Sequence, residues 1–448
     1  MINLILVVGA VLRLISLNQS LWLDEATSAI VAKMPLTDIF TKFLPGDFHP
    51  PFYYVFLHFW TILFGTSEIA LRAPSLLAGI LTIYIVYLIG KELSGEKIGL
   101  AAGALMATSG LHIYYSQEAR MYSLATLFVT LSVLFFTKTL HAGRVGDFIK
   151  FGLFLSLSFL TDYLPALIIP VFWIAAAVNK KNLNWLKKFV MSHIILLVSI
   201  LLWAPTLLKQ VSLGLSVQTL SPAWYQILGL TTLKNLALIP TKFILGRISF
   251  DDKFFYGTLV VILCTLTGYI LFRALKAPKI IWVWLILPVL VGIVIGFKIP
   301  VLYYFRFLFV LPAFYILTSF GISALGKYKN RALYIFIGIN VITSLYYLFT
   351  PRFQREDWRA AAKALGDEKI IFPSDSQKEA LIYYKKDSQI INSTQLGRND
   401  REVWLSRYVW ELFDPGDTAR LKIESLGYNK TSTHNFNGVV FFKYARSN

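Results

Sequence analysis

The chain has 448 residues, of which 56% are hydrophobic, 15% aromatic and only 15% charged, with a mean hydropathy of +0.60. Soluble domains are far less apolar, so this composition excludes a soluble or disordered chain and points to a polytopic membrane protein. The formal net charge of +18 does not imply a nucleic-acid partner, because most of the excess lies before Pro351 in short loops, where membrane topology explains it.

In chain order, the apolar runs read as eleven transmembrane spans: Met1–Leu17, Ala70–Gly90, Ile98–Tyr114, Met121–Leu140, Phe148–Leu160, Leu164–Val178, Phe189–Trp203, Phe255–Phe272, Ile280–Phe297, Val301–Leu325 and Ala332–Phe349. Several are shorter than the ~20 residues of an upright span. No basic residue precedes Arg13 and no small-residue cleavage site follows the first run, which favours a retained helix over a signal peptide. Basic clusters at Lys91/Lys97, Lys138/Arg144/Lys150, Lys180–Lys188, Arg273–Lys279 and Lys327–Arg331 then share one side with the N-terminus, and that side reads as cytoplasmic. The stretch Pro50–Phe64 is apolar enough to tempt a twelfth span, but counting it puts the clusters on alternate sides. It reads instead as an interfacial or re-entrant helix, with Asp24–Phe43 as a second one, both inside a long outer loop over residues 18–69. A second long outer loop covers residues 204–254.

Thr350-Pro351 marks the boundary between a membrane domain, residues 1–350, and an extracytoplasmic α/β unit, residues 351–448. In the latter, helices are expected over Glu356–Leu365, Gln377–Tyr384 and Thr418–Leu426, with strands over Lys369–Phe372, Gln389–Ile391, Glu402–Arg407 and Val439–Tyr444. It carries no nucleotide-binding glycine motif, and reads as a cap or acceptor-binding accessory. The single cysteine, Cys264, excludes a disulfide framework and a thiolate metal cluster.

Charged residues collect at the outer ends of the spans: Asp24 and Glu25, His49, Arg72, Glu118 beside Arg120, and Arg306. Ionised groups are costly in hydrocarbon and mark function by default. An acidic pair converging with guanidiniums at a lipid interface suits a phosphate-bearing lipid with a general base beside it. Each residue also has a plain reading. Asp24 and Glu25 suit the first turn of a helix, His49 closes a turn before Pro50-Pro51, Arg72 snorkels to headgroups, and Arg120 pairs with Glu118 or Glu25.

Asp24-Glu25, His49-Pro50-Pro51-Phe52-Tyr53-Tyr54, Glu68-Ile69-Ala70-Leu71-Arg72-Ala73-Pro74-Ser75 and Tyr114-Tyr115-Ser116-Gln117-Glu118-Ala119-Arg120-Met121-Tyr122-Ser123 stand in the order of a family signature. The chain resembles glycosyltransferase family 39, the protein mannosyltransferases and lipid A aminoarabinose transferases of the GT-C superfamily. The likeness covers about the first 180 residues, with a weaker echo at Tyr303-Tyr304-Phe305-Arg306. It departs at Thr161-Asp162-Tyr163, where many relatives carry His in place of Asp162. The resemblance implies an all-α GT-C membrane fold and an inverting transfer of a sugar from a polyprenyl-phosphate donor to an acceptor hydroxyl on the extracytoplasmic face. On that basis Asp24 is the expected base. Glu25 and His49 orient it or the acceptor, and Arg72, Arg120 and Arg306 hold the carrier phosphate, with Tyr115, Glu118 and Tyr304 completing the substrate site.

Other readings are a lipid-pyrophosphate glycan ligase and a secondary transporter. The transporter predicts repeats and polar breaks at mid-membrane, whereas the charges here crowd at one set of helix ends. A divalent metal stays open, since Asp24, Glu25, His49 and Glu118 offer ligands but no fixed spacing. Glycosylation sequons stand at Asn18, Asn392 and Asn429.

Overall fold

A computed structural model describes residues 1–220, 222–385, 389–392, 395–396 and 400–446. Helix α1 (Ile2–Leu14) opens the chain. A string of short helices follows: α2 (Leu23–Ala32), α3 (Leu36–Asp38), which runs on as a π turn over Ile39–Phe43 and a 3-10 turn over Leu44–Gly46, and α4 (Phe52–Phe64). The bundle then builds from α5 (Glu68–Ser94), α6 (Glu96–Thr108), α7 (Gly110–Ser116), α8 (Tyr122–His141), α9 (Val145–Thr161), α10 (Ile169–Val178), α11 (Leu183–Ser192) and α12 (Ile194–Leu220). After α13 (Pro222–Ile227) and α14 (Leu233–Leu245) come α15 (Lys253–Arg273), α16 (Lys279–Ile295), α17 (Leu311–Ser323), entered through a 3-10 turn at Tyr304–Val310, and α18 (Lys329–Phe349).

Every expected span contains helix, and six helices among the described residues are long and apolar enough to cross a membrane. The others are shorter. The span expected at Ile98–Tyr114 breaks at Ser109, whose backbone is extended and whose hydroxyl accepts from the His112 amide to cap α7. The single helix expected over Asp24–Phe43 also breaks, because Pro35 has no amide hydrogen to give and disfavours helical geometry at Met34. At 13 residues, α4 rises about 20 Å, short of the ~30 Å hydrocarbon layer. The stretch 204–254 is less of a loop than expected: α12 passes through Pro205 without ending, and α14 fills its second half.

Small residues set the closest helix contact. A Cβ on Gly90 of α5 would lie 2.8 Å from the Gly99 Cα of α6, and one on Gly99 would lie 2.5 Å from the Tyr87 carbonyl, so only glycine permits this approach.

The tail holds a five-stranded sheet in the order β2-β1-β3-β5-β4, with β1 (Lys369–Ile371), β2 (Ile390–Ile391), β3 (Glu402–Ser406), β4 (Tyr428–Phe436) and β5 (Val439–Arg446). β1 runs parallel to both its neighbours, and β5 pairs antiparallel with β3 and β4. Helices α19 (Trp358–Ala364), α20 (Glu379–Tyr384), α21 (Trp410–Phe413) and α22 (Thr418–Ser425) accompany it. Strand β4 is a correction to the sequence reading. Its residues are mostly polar because it is an edge strand, but the Asn437-Gly438 turn, with both φ angles positive, is the strongest local hairpin signal there is. Of the sequons, that at Asn392 extends beyond the described residues.

Candidate active site

The two adjacent carboxylates at the start of α2 have opposite fates. Glu25, at the third helical position, turns inward and is fully buried, while the Asp24 side chain keeps 40% exposure. Arg72 of α5 meets Glu25 through Nε at 2.8 Å and Nη2 at 2.5 Å. The remaining donors of Arg72 reach the carbonyls of Leu17, Gln19 and Ser20 at 2.6–2.9 Å. Glu25 also accepts from the Ala119 amide at 2.7 Å and the Trp22 amide at 3.4 Å. Burial works to raise the Glu25 carboxyl, yet Arg72 outweighs it and holds the group below its usual range. This clamp fixes α2 to α5 and to the α7–α8 turn. It leaves Arg72 no N–H for a ligand.

Asp24 faces a cavity of about 410 Å³ that is also lined by Trp22, Tyr115, Glu118, Tyr304 and Arg306. Arg120 approaches Asp24 from behind, Nη2 to Oδ2 3.7 Å, and does not line the cavity. Three further guanidiniums do line it, and the sequence reading named none of them: Arg247, in the α14–α15 loop, and Arg352 and Arg355, just after α18, of which Arg352 is taken up by Asp251 and the Ser249 carbonyl. Arg247 lies over the Tyr114 ring at 4.3 Å from its centre, and among the described residues no hydrogen bond or ion pair holds its guanidinium. Partial desolvation works to lower its pKa, but the tyrosines around it and Glu118 outweigh that and raise it. Arg355 stacks on the same ring at 3.9 Å, hydrogen-bonds the Tyr114 hydroxyl and lies 3.8 Å from Glu118. Burial brings Arg355 down to about 10, still a cation at neutral pH. Arg306 spends one donor on the Pro300 carbonyl at 2.6 Å.

Glu118 is buried, and its Oε2 has no hydrogen-bond partner among the described residues. Burial first, then the charge of Glu25, pushes its carboxyl up to about 8 against the pull of Arg247 and Arg120. The turn that carries it is pinned by Gln117, whose Nε2 donates to the Arg13 and Ile15 carbonyls at 3.1 and 2.7 Å while Oε1 accepts from Tyr347 at 3.1 Å. His49 sits outside the cavity lining, paired at 3.2 Å with Asp47. Burial acts to raise Asp47, but His49, then Arg120, bring it down to about 2. Of the nine residues expected at the site, Asp24, Tyr115, Glu118, Tyr304 and Arg306 line one cavity; Glu25, His49, Arg72 and Arg120 stand in the layer behind it. Arg247 left one sequence signal, a charge set just after the apolar run Phe243-Ile244-Leu245, whereas Arg352 and Arg355 stand in the charged stretch Arg352–Asp357 and left none. Among the described residues no cluster of three His, Cys, Asp or Glu is placed to hold a metal ion.

Residues 48–208 match the family model of dolichyl-phosphate-mannose-protein mannosyltransferases. No curated protein matches the chain. Among solved structures, ArnT from Cupriavidus metallidurans is similar over 98% of this chain and 97% of its own, with a TM-score of 0.61, both in the apo state at 12% identity and bound to undecaprenyl phosphate at 14%. The oligosaccharyltransferase of Archaeoglobus fulgidus, in complex with zinc and sulfate, is similar over 99% of this chain and 73% of its own, with a TM-score of 0.55 and 13% identity. At such identities the likeness is one of fold, a bundle of apolar helices with a small C-terminal sheet unit.

Proposed function

We propose that this chain, which has the GT-C fold and a mannosyltransferase-family match over residues 48–208, is a membrane glycosyltransferase. It takes a sugar from a polyprenyl-phosphate carrier and passes it, with inversion, to an acceptor hydroxyl on the extracytoplasmic face. Residues 1–350 form the catalytic membrane domain and residues 351–448 the extracytoplasmic unit, with the basic loops on the cytoplasmic side. The observation that carries the reading is an exposed carboxylate, Asp24, sharing one cavity with four guanidiniums, three of which, Arg247, Arg306 and Arg355, are not engaged by an aspartate.

The chemistry divides accordingly. The departing polyprenyl phosphate is already a stable anion and needs no strong acid. It needs cations, and Arg247 and Arg306 have donors to give, with Arg355 adding charge. The incoming hydroxyl needs a base, and Asp24 serves, contributing ~10²–10⁴-fold as positioned bases do. Arg72 and Glu25 act through Asp24, by fixing the turn of α2 that presents it. Arg120 provides the positive charge behind it, and His49 with Asp47 shapes the loop beside it. Glu118, protonated below about pH 8, adds no negative charge against the arriving phosphate and has a proton to donate.

The test is purified protein in lipid nanodiscs with labelled undecaprenyl-phosphate sugars and an envelope acceptor extract. Transfer is expected in the wild type and absent in Asp24→Asn, with undecaprenyl phosphate bound equally by both. Full transfer by Asp24→Asn ends the assignment of the base.

A further inference from the structure

Three carboxylates border the cavity, and the reading above uses two. The third is Glu356, contributed from beyond the last membrane helix, beside Asp24 and Arg355. Its position is set by the tail's own core. Fully buried Trp358 donates from Nε1 to Glu356 Oε2 at 2.9 Å, and Tyr408, itself buried and packed edge-on against Trp358, donates its hydroxyl to Oε1 at 3.0 Å. Each oxygen therefore spends one lone pair on the protein and retains another. A carboxylate fixed in this way accepts two hydroxyl groups on adjacent carbons, the pattern a sugar ring presents.

A second feature of the same cavity points to the same ligand. Trp22, two residues before Asp24, lines the cavity, and its Nε1–H is buried with no hydrogen-bond partner among the described residues. An unmade bond at a buried donor is unfavourable, and a ligand oxygen removes that cost. A fixed double acceptor and a free donor at the edge of an aromatic ring, both on residues lining the cavity with Asp24, match a polyhydroxylated ring. The cavity also has room for more than a phosphate.

We propose that Glu356 and Trp22 form the subsite for the donor's sugar ring, Glu356 accepting two of its hydroxyls and the Trp22 Nε1–H donating to a ring or hydroxyl oxygen. The assignment rests on the lipid-phosphate reading above. It makes the tail unit a part of the substrate site through one residue.

The experiment measures binding of undecaprenyl phosphate, bare and carrying mannose, glucose or galactose, to the full chain in nanodiscs. Wild type is expected to bind at least one sugar-bearing lipid about tenfold or more tightly than the bare lipid, the size of one or two charge-assisted hydrogen bonds. In Glu356→Ala that advantage falls to about onefold while bare-lipid affinity stays within about twofold. Glu356→Gln, which keeps one acceptor oxygen and controls for folding, retains part of it, and Trp22→Phe loses part. An advantage that survives Glu356→Ala, no advantage for any of the three sugars in the wild type, or an equal loss of bare and sugar-bearing lipid overturns the subsite. Failure of the wild type to bind the bare lipid overturns the lipid-phosphate reading instead.

Discussion

Asp24 and Glu25 are neighbours in the chain and share a chemistry, but the helix turns them about 100° apart, and the two directions lead to a cavity and to Arg72. The consequences of substitution separate in the same way. Breaking a buried ion pair by removing one partner leaves the other charge stranded and costs ~3–5 kcal/mol; Arg72→Ala is therefore expected to lower thermal stability sharply. Asp24→Asn, at a half-exposed position, should leave the melting temperature nearly unchanged while abolishing transfer. Calorimetry on both variants checks the contrast. Arg247→Ala, removing a guanidinium that rests on the Tyr114 ring but makes no hydrogen bond or ion pair among the described residues, is expected to weaken undecaprenyl phosphate binding by about tenfold or more, with little loss of stability.

Glu118 gives a dependence on pH with a definite sign. Its folded-state value of about 8 lies above the ~4.3 of an unfolded glutamate, so the native protein keeps a proton that the unfolded chain releases. The associated stability is complete below the unfolded value and is lost as pH rises toward about 8. In Glu118→Gln this loss is absent, so thermal melts between pH 5 and pH 9 should show the variant gaining on the wild type as pH rises. Phosphate binding should follow the same course, falling in the wild type above pH 8 and holding in the variant.

Among the elements, α12 shows how a membrane helix can organise a loop. It continues past the expected end at Trp203 for nearly five turns, and Gln210 on that extension donates to the Leu44 and His49 carbonyls at 2.6 and 3.1 Å while accepting from Tyr163. The first loop is thus held from above by a helix far along the chain. At the opposite end of the bundle, the α5–α6 hairpin turns at Gly95, φ +89°, and closes on Gly90 and Gly99. Gly99→Val forces the two backbones apart where no flexible side chain can yield, and overpacking of this kind costs ~1–3 kcal/mol. A lowered melting temperature with unchanged substrate affinity is expected, since the site lies at the far end of α5.

For the molecule as a whole, the tail unit is tied to the membrane bundle at many points. Arg359 pairs with Glu68 at 2.6 Å and donates to the Asn18 carbonyl at 2.8 Å, Tyr384 bonds both Glu68 and the Leu21 amide, and Gln354 donates to the Tyr347 and Leu348 carbonyls. Arg355 and Glu356 lie within this seam and reach the cavity. A chain ended at Thr350 loses these groups as well as the sheet, and is expected to bind undecaprenyl phosphate weakly even if its helices insert.

What could be read from the amino-acid order alone followed from local rules. The apolar runs, each answering to a helix, come from the cost of burying an unpaired backbone in hydrocarbon. Asp24, Arg306 and the Tyr115–Glu118 turn stood out because charges and tyrosines at span ends are few and costly. The sheet of the tail was legible except for β4, whose polar edge composition hid it despite its Asn-Gly turn. Tertiary structure alone decided which arginine does what. Arg72 and Arg247 are indistinguishable as letters in a sequence, and the difference lies in whether a buried carboxylate is near enough to claim the guanidinium. Glu25, from a distant part of the chain, claims the first; among the described residues nothing claims the second, because folding brings it against tyrosine rings and an open cavity.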